Sequence, residues 1–192
     1  MPRQLFVYDP PERFVAGTVG QPGARTFFLQ AKAGARVTTV ALEKEQVALL
    51  AERLGELLDE IVLRLGSGGA APTEALTARS PDNGPLDQPI LEEFRVGSLA
   101  LAWDESRQRV VIEAGAVTDA QNPAEPLSDD LTADAPDALR VRLTSGQARA
   151  FAARAQAVVG AGRPPCPLCE LPLDPEGHVC PRQNGYRRRA AE

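Results

Sequence analysis

Cysteine, histidine and aromatic residues are scarce in this chain. Three cysteines and one histidine occur in 192 residues, and Phe, Trp and Tyr together make up 5%. Three cysteines leave one thiol over from any disulfide framework. The histidine stands between two of the cysteines, so a serine or cysteine nucleophile has no other imidazole to act as its base. Neither a Walker loop nor a dinucleotide fingerprint is present; Gly17-x-x-Gly20 and Gly66-x-Gly68-Gly69 lack the rest of either motif. No apolar run approaches the length of a membrane-spanning helix. Met1 to Asp9 lacks the apolar core of a signal peptide, and the expected compartment is a reducing cytoplasm. A net charge of −5 argues against nucleic-acid binding by bulk electrostatics.

The scarce residues are gathered in one place. Cys166, Cys169, His178 and Cys180 form a C-x2-C-x8-H-x-C pattern. Zinc favours four soft or borderline ligands in a tetrahedron, and Cys3His is a standard structural set. The short Cys166–Cys169 knuckle turns both sulfurs toward one ion, and Pro167 stiffens it. Asp174-Pro175-Glu176-Gly177 reads as a turn that folds the second ligand pair back onto the first. Four ligands with no vacancy predict a closed, structural zinc site.

The rest reads as strands, one long helix, then strands and a second helix. Short runs rich in β-branched and aromatic residues, bounded by turn signals, predict strands at 5–8, 13–19, 25–32 and 36–42. Gly17 suits a bulge or a close backbone approach. Val47, Leu50, Leu54, Leu57, Leu58, Ile61 and Leu65 then recur at helical spacing, which predicts an amphipathic helix over 43–65. Packing against the sheet is the expected use of this stripe, with a dimer seam as the alternative. Residues 66–91, rich in Gly and Pro and without apolar period, are expected to be a flexible linker. Strands follow at 93–103 and 107–114, and an acidic insert at 119–138 is expected to be mobile. A last strand runs from 139 to 143. Thr144 and Gln147 form a capping box for a helix ending near Val159.

The two halves look alike. Phe14 to Val19 matches Phe94 to Leu99, and Leu42, Gln46, Ala51 and Arg53 match Leu143, Gln147, Ala152 and Arg154. This predicts an α+β fold of two β-β-β-α units related by internal duplication, with a short C-terminal zinc-binding module. The units span 1–65 and 92–163, in two sheets or one, with pseudo-two-fold symmetry. The zinc knuckle and a basic tail occupy 164–192.

Two further clusters are candidate sites. Tyr8, Asp9, Glu12 and Arg13 lie between strands and could bind a ligand; the alternative is a rigid turn with a surface ion pair. Arg182, Tyr186, Arg187, Arg188 and Arg189 follow the last zinc ligand. They could hold a phosphate backbone and stack a base, or be a solvated terminus.

Several longer motifs resemble the domain-of-unknown-function 3090 (DUF3090) family of actinobacteria. They are Val7 to Gly17, Phe27 to Ala31, Val40 to Val47, Cys166-Pro-Leu-Cys169 and Gly177 to Arg187. The resemblance covers nearly the full chain but carries no assigned activity. It implies genes encoded beside a histidine-phosphatase-like and a kinase-like protein, and so a shared pathway or complex. The function expected is that of a zinc-stabilised cytoplasmic adaptor or accessory subunit with a protein partner. The alternatives are nucleic-acid binding through the zinc module and arginine tail, and an enzyme with its site between the repeats.

Overall fold

A computed structural model describes residues 3–66, 82–118, 127, 135–162, 166–171, 173 and 178–182. It contains strands β1 (Leu5–Tyr8), β2 (Arg13–Val19), β3 (Thr26–Ala33) and β4 (Arg36–Leu42), then helix α1 (Lys44–Gly66). Strands β5 (Glu92–Asp104), β6 (Arg109–Ala116) and β7 (Ala138–Leu143) follow, then helix α2 (Ser145–Gly160). Each element lies within two residues of its predicted bounds. The turn and period signals on which those predictions rest are local, and here packing does not override them.

The strands form one sheet in the order β1-β7-β6-β5-β4-β3-β2. β2-β3-β4 and β5-β6-β7 are antiparallel runs, whereas β4 and β5 pair in parallel, with α1 lying between them in the chain. Parallel neighbours need such a crossover. β1 pairs in parallel with β7 at one end of the strand order, and β2 lies at the other end. A flat sheet of seven strands would separate those ends by about 29 Å. Residues 9–12, which connect β1 to β2, reach about 18 Å at full extension. The sheet therefore curls until its ends approach. Tyr8 of β1, 1% exposed, meets Thr38 of β4 through its hydroxyl at 2.8 Å.

One core joins both halves. Its side chains alternate along the strands: Phe14 and Ala16, Phe27 and Leu29, Val40 and Leu42, Ile112 and Ala114, Leu139 and Val141. The α1 stripe closes over them, with Val47, Leu50, Leu54 and Leu58 buried, so it is a core face. From α2 come Ala148, Phe151, Ala152 and Ala155, and the Phe151 ring stacks on Phe14 at 4.5 Å. The predicted capping box opens α2: Thr144 accepts from the Gln147 amide, and Gln147 accepts from that of Thr144. Gln46 does the same for Glu43 at the start of α1. α2 also lies along β2, where Arg154 Nε donates to Ala16 O at 2.6 Å and covers a carbonyl on a strand that pairs on one side only.

The opposite face of the sheet is covered as well, and this corrects the linker reading. Of the predicted linker, residues 67–81 lie outside the described residues, but 82–90 are tied down. Leu86 is 7% exposed and packs on Val15, Phe28 and Ala41. A Cβ on Gly17 would lie 2.7 Å from Leu86, so the glycine makes room for this contact. A run with one apolar anchor and several polar ones has no period to read. The predicted acidic insert lies mostly outside the described residues. Within it Leu127 N–H donates to Glu113, and near its end Ala135 is buried. Glu113 also bridges Arg3 (3.0 Å) and Arg140 (2.7 Å), all three buried.

The burial pattern sets a stability contrast along α1. Leu54→Ala removes a side chain with no exposed surface and is expected to lower the unfolding free energy by about 2–5 kcal/mol. Leu49→Ala, at 50% exposure, should stay within about 0.5 kcal/mol of wild type. Urea denaturation of the two variants checks this; equal costs would mean that α1 does not dock as described.

Candidate metal centre

After α2 the chain forms a tight loop around its first two cysteines. Cys166 N–H donates to Leu171 O and Glu170 N–H to Cys166 O, both at 2.8 Å. Glu170 takes a left-handed φ of 63° to close the turn. The loop aims amides at sulfur. Those of Leu168 and Cys169 point at Cys166 and hold its thiol down to about 6, because they favour the thiolate. Burial pushes the Cys169 thiol up, against the Leu171 amide that lowers it. A knuckle whose amides face its sulfurs is organised for thiolate charge.

His178 and Cys180 bring the second pair of ligands. The ligand atoms of all four residues lie within 4.8 Å of one another. Cys166 Sγ and Cys180 Sγ are 3.8 Å apart, and Cys169 Sγ is 3.0 Å from His178 Nε2. A tetrahedron with metal–sulfur arms of about 2.3 Å has sulfur–sulfur edges of about 3.8 Å. Cys166 Sγ and Cys180 Sγ are therefore at the spacing of two ligands on one ion, and too far apart for a bond. Cys166 and Cys180 are buried and Cys169 and His178 half-buried. The Cys3His group near the C-terminus can thus bind a metal, with three thiolates and one imidazole and no carboxylate among its ligands. The predicted turn at 174–177 lies outside the described residues.

The structure does not gather Tyr8, Asp9, Glu12 and Arg13 into one site. Tyr8 points into the core, with the Arg36 guanidinium 4.2 Å from its ring centre. Asp9 is exposed and pairs with Arg142 across to β7 at 3.6 Å. Arg13 turns to the 82–90 segment instead. It grips Asp82 in bidentate fashion (2.6 and 3.2 Å), reaches Asp87 at 2.8 Å, and donates to the carbonyls of Gly84 and Pro85. Every nitrogen of its guanidinium is engaged within the protein, which leaves it a structural clamp. Lys32 shares Asp87 at 2.6 Å, and Gln30 exchanges hydrogen bonds with the Asp87 backbone. Glu12 is exposed beside a small cavity that Arg13 also lines. Of the basic tail, Arg182 is exposed. Tyr186, Arg187, Arg188 and Arg189 lie outside the described residues.

Asp82, Asp87 and Arg154 are the site residues that sequence reasoning missed. Arg154 had a signal: it follows Phe151 by three residues, which places it on the buried arc of α2. Asp82 and Asp87 had none, because their partners are far away in the chain.

A family model described as "Protein of unknown function (DUF3090)" matches residues 6–180. The chain belongs to this family. No curated protein and no solved structure matches it.

The Arg13 guanidinium, with help from Gly84 N–H and Arg154, holds the Asp82 carboxyl down to about 2 from an ordinary 3.8. A depressed carboxylate stabilises the fold fully above its unfolded pKa, and the benefit fades as pH falls through the folded value. The 82–90 segment should therefore stay protected from proteases at pH 5 and become cleavable as pH approaches about 2. Arg13→Ala should expose it already at neutral pH. Acid-active pepsin at low pH and the broadly specific proteinase K at neutral pH, with cleavage sites read by mass spectrometry, test both statements; protection from proteinase K that survives Arg13→Ala would remove the clamp from the account.

Proposed function

We propose that this protein is a zinc-stabilised binding protein of the cytoplasm, an accessory subunit that acts by contacting a protein partner. The observation that carries the reading is the complete Cys3His ligand set. Zinc is the ion proposed, because three thiolates and an imidazole at tetrahedral spacing suit a borderline-soft ion without geometric demands of its own. Cys166, Cys169, His178 and Cys180 would hold it. With four protein ligands no position is left for a substrate or water, so the ion's work would be structural. It would tie the segment after Gly162 into a folded module, contributing on the order of 10 kcal/mol to that local fold.

The roles of the other candidates agree with binding rather than catalysis. The only histidine is one of the four ligands. Tyr8 and Arg13 are occupied by the core and by the clamp. We also infer that β2-β3-β4-α1 and β5-β6-β7-α2 descend from one duplicated unit. Gln46 and Gln147, equivalent by sequence, cap the two helices in the same way and each reaches a carbonyl near the first strand of the other unit, Val96 O and Pro11 O.

Native mass spectrometry of the protein gently purified from its own cells tests the reading. The expected result is one zinc ion per chain and a co-purifying protein. Cys169→Ser should lose the ion and expose the segment beyond Gly162 to proteolysis, while the seven strands and two helices remain resistant. A metal-free wild-type chain would refute the zinc. A zinc-bearing chain that binds only nucleic acid, with salt-sensitive affinity, would replace the partner reading.

A further inference from the structure

We propose that Cys169 is an oxidation site, at which a peroxide converts Cys166 and Cys169 to a disulfide and releases the metal. The step rests on the proposed zinc centre and gives its module a reversible way to come apart. All three thiols of the chain stand in this one centre. They are not equally reachable. Cys166 and Cys180 are 4% and 2% exposed, whereas Cys169 is half-buried, so an oxidant arriving from solvent meets Cys169 first. A sulfur that ligates zinc is deprotonated, and thiolate is the form that peroxide oxidises. A second thiolate is close at hand. The ligand atoms of all four residues lie within 4.8 Å of one another, a short closure from the disulfide length of about 2.05 Å.

The chemistry balances with peroxide as the one added reactant. The Cys169 thiolate attacks one oxygen of hydrogen peroxide, the O–O bond breaks, and Cys169 sulfenic acid and hydroxide result. The Cys166 thiolate then attacks that sulfur, an S–S bond forms, the S–O bond breaks, and a second hydroxide leaves. Two thiolates lose two electrons and the peroxide gains them. Cys166 is the partner rather than Cys180 because it shares the loop of Cys169. Backbone hydrogen bonds among Cys166, Glu170 and Leu171 close that loop without the ion, whereas no backbone hydrogen bond among the described residues ties 178–182 to it. The disulfide removes two ligands of four and leaves one thiolate and one imidazole, too few to hold zinc. No apolar core holds the module in their place. Leu168, Leu171 and Val179 are 47%, 50% and 80% exposed, and among the described residues neither hydrophobic cluster extends beyond Val159. Oxidation therefore unfolds the segment and withdraws the surface it would offer a partner.

Hydrogen peroxide is the probe, added to the zinc-loaded full chain. A chromogenic chelator follows zinc release, and mass spectrometry after alkylation maps the cysteines. The expected result is loss of one zinc ion per disulfide formed, a Cys166–Cys169 bond with Cys180 alkylated, and new cleavage by proteinase K beyond Gly162. Dithiothreitol with zinc should restore the starting state. Cys169→His keeps four ligands and removes the half-exposed thiol, so it should retain its ion under the peroxide that strips wild type. Should that variant not take up zinc, the wild-type disulfide map decides alone. The proposal is overturned if zinc-loaded wild type keeps its ion, if zinc leaves without a disulfide, if the disulfide contains Cys180, or if zinc-loaded Cys169→His loses its ion as fast as wild type. Those results leave the structural-zinc reading standing, whereas a wild-type chain that takes up no zinc refutes that reading and this proposal together.

Discussion

Strand β5 belongs to both halves of the sheet, and the rest of the molecule depends on that sharing. Its first residues pair in parallel with β4, and its later ones pair in antiparallel fashion with β6. The register shifts between Val96 and Ser98, around Gly97. A Cβ on Gly97 would lie 2.8 Å from Val117 Cα, so this bulge in the β5–β6 pairing takes a glycine. Through this one strand two three-stranded runs become a single sheet with a single core. β1 makes the corresponding parallel pairing with β7, and the short connection from β1 to β2 forces the curl.

The curl explains where the charged residues are. It brings α2 onto β2, so that Arg154 can reach a strand carbonyl and Asp82 together. It also leaves an outer face over which residues 82–90 can lie. Arg13 holds that segment at several points, and Leu86 fills the space left by the missing side chain of Gly17. Multiple contacts from one planar guanidinium fix a direction as well as a distance, which a lysine in its place would not.

The fold was legible wherever the signal was local. The α1 stripe, the Thr144–Gln147 capping box and the strand-bounding turns each act within a few residues, and the structure places them where the sequence implies. The Cys3His spacing was equally clear, because four ligands on one short stretch have few other ways to satisfy their chemistry. Non-local pairings were illegible. Nothing near Asp82 or Leu86 announces Arg13 or Val15, and a Gly- and Pro-rich run looks like a linker whether or not its end is anchored. Tyr8 to Arg13 looked like one polar cluster. Strand alternation sends Tyr8 inward, and the turn after it sends Arg13 to the other face.

The metal centre is where sequence and structure give the firmest chemistry. The knuckle amides favour thiolate at Cys166, the sulfurs of Cys166 and Cys180 stand one tetrahedral edge apart, and the imidazole completes the set. X-ray absorption spectroscopy at the zinc edge, on protein purified without added metal, tests this most directly. A first shell of three sulfurs at about 2.3 Å and one nitrogen at about 2.0–2.1 Å is the expected result. A shell containing oxygen, or fewer than three sulfurs, would contradict a closed structural site and reopen the centre to chemistry at a vacant position.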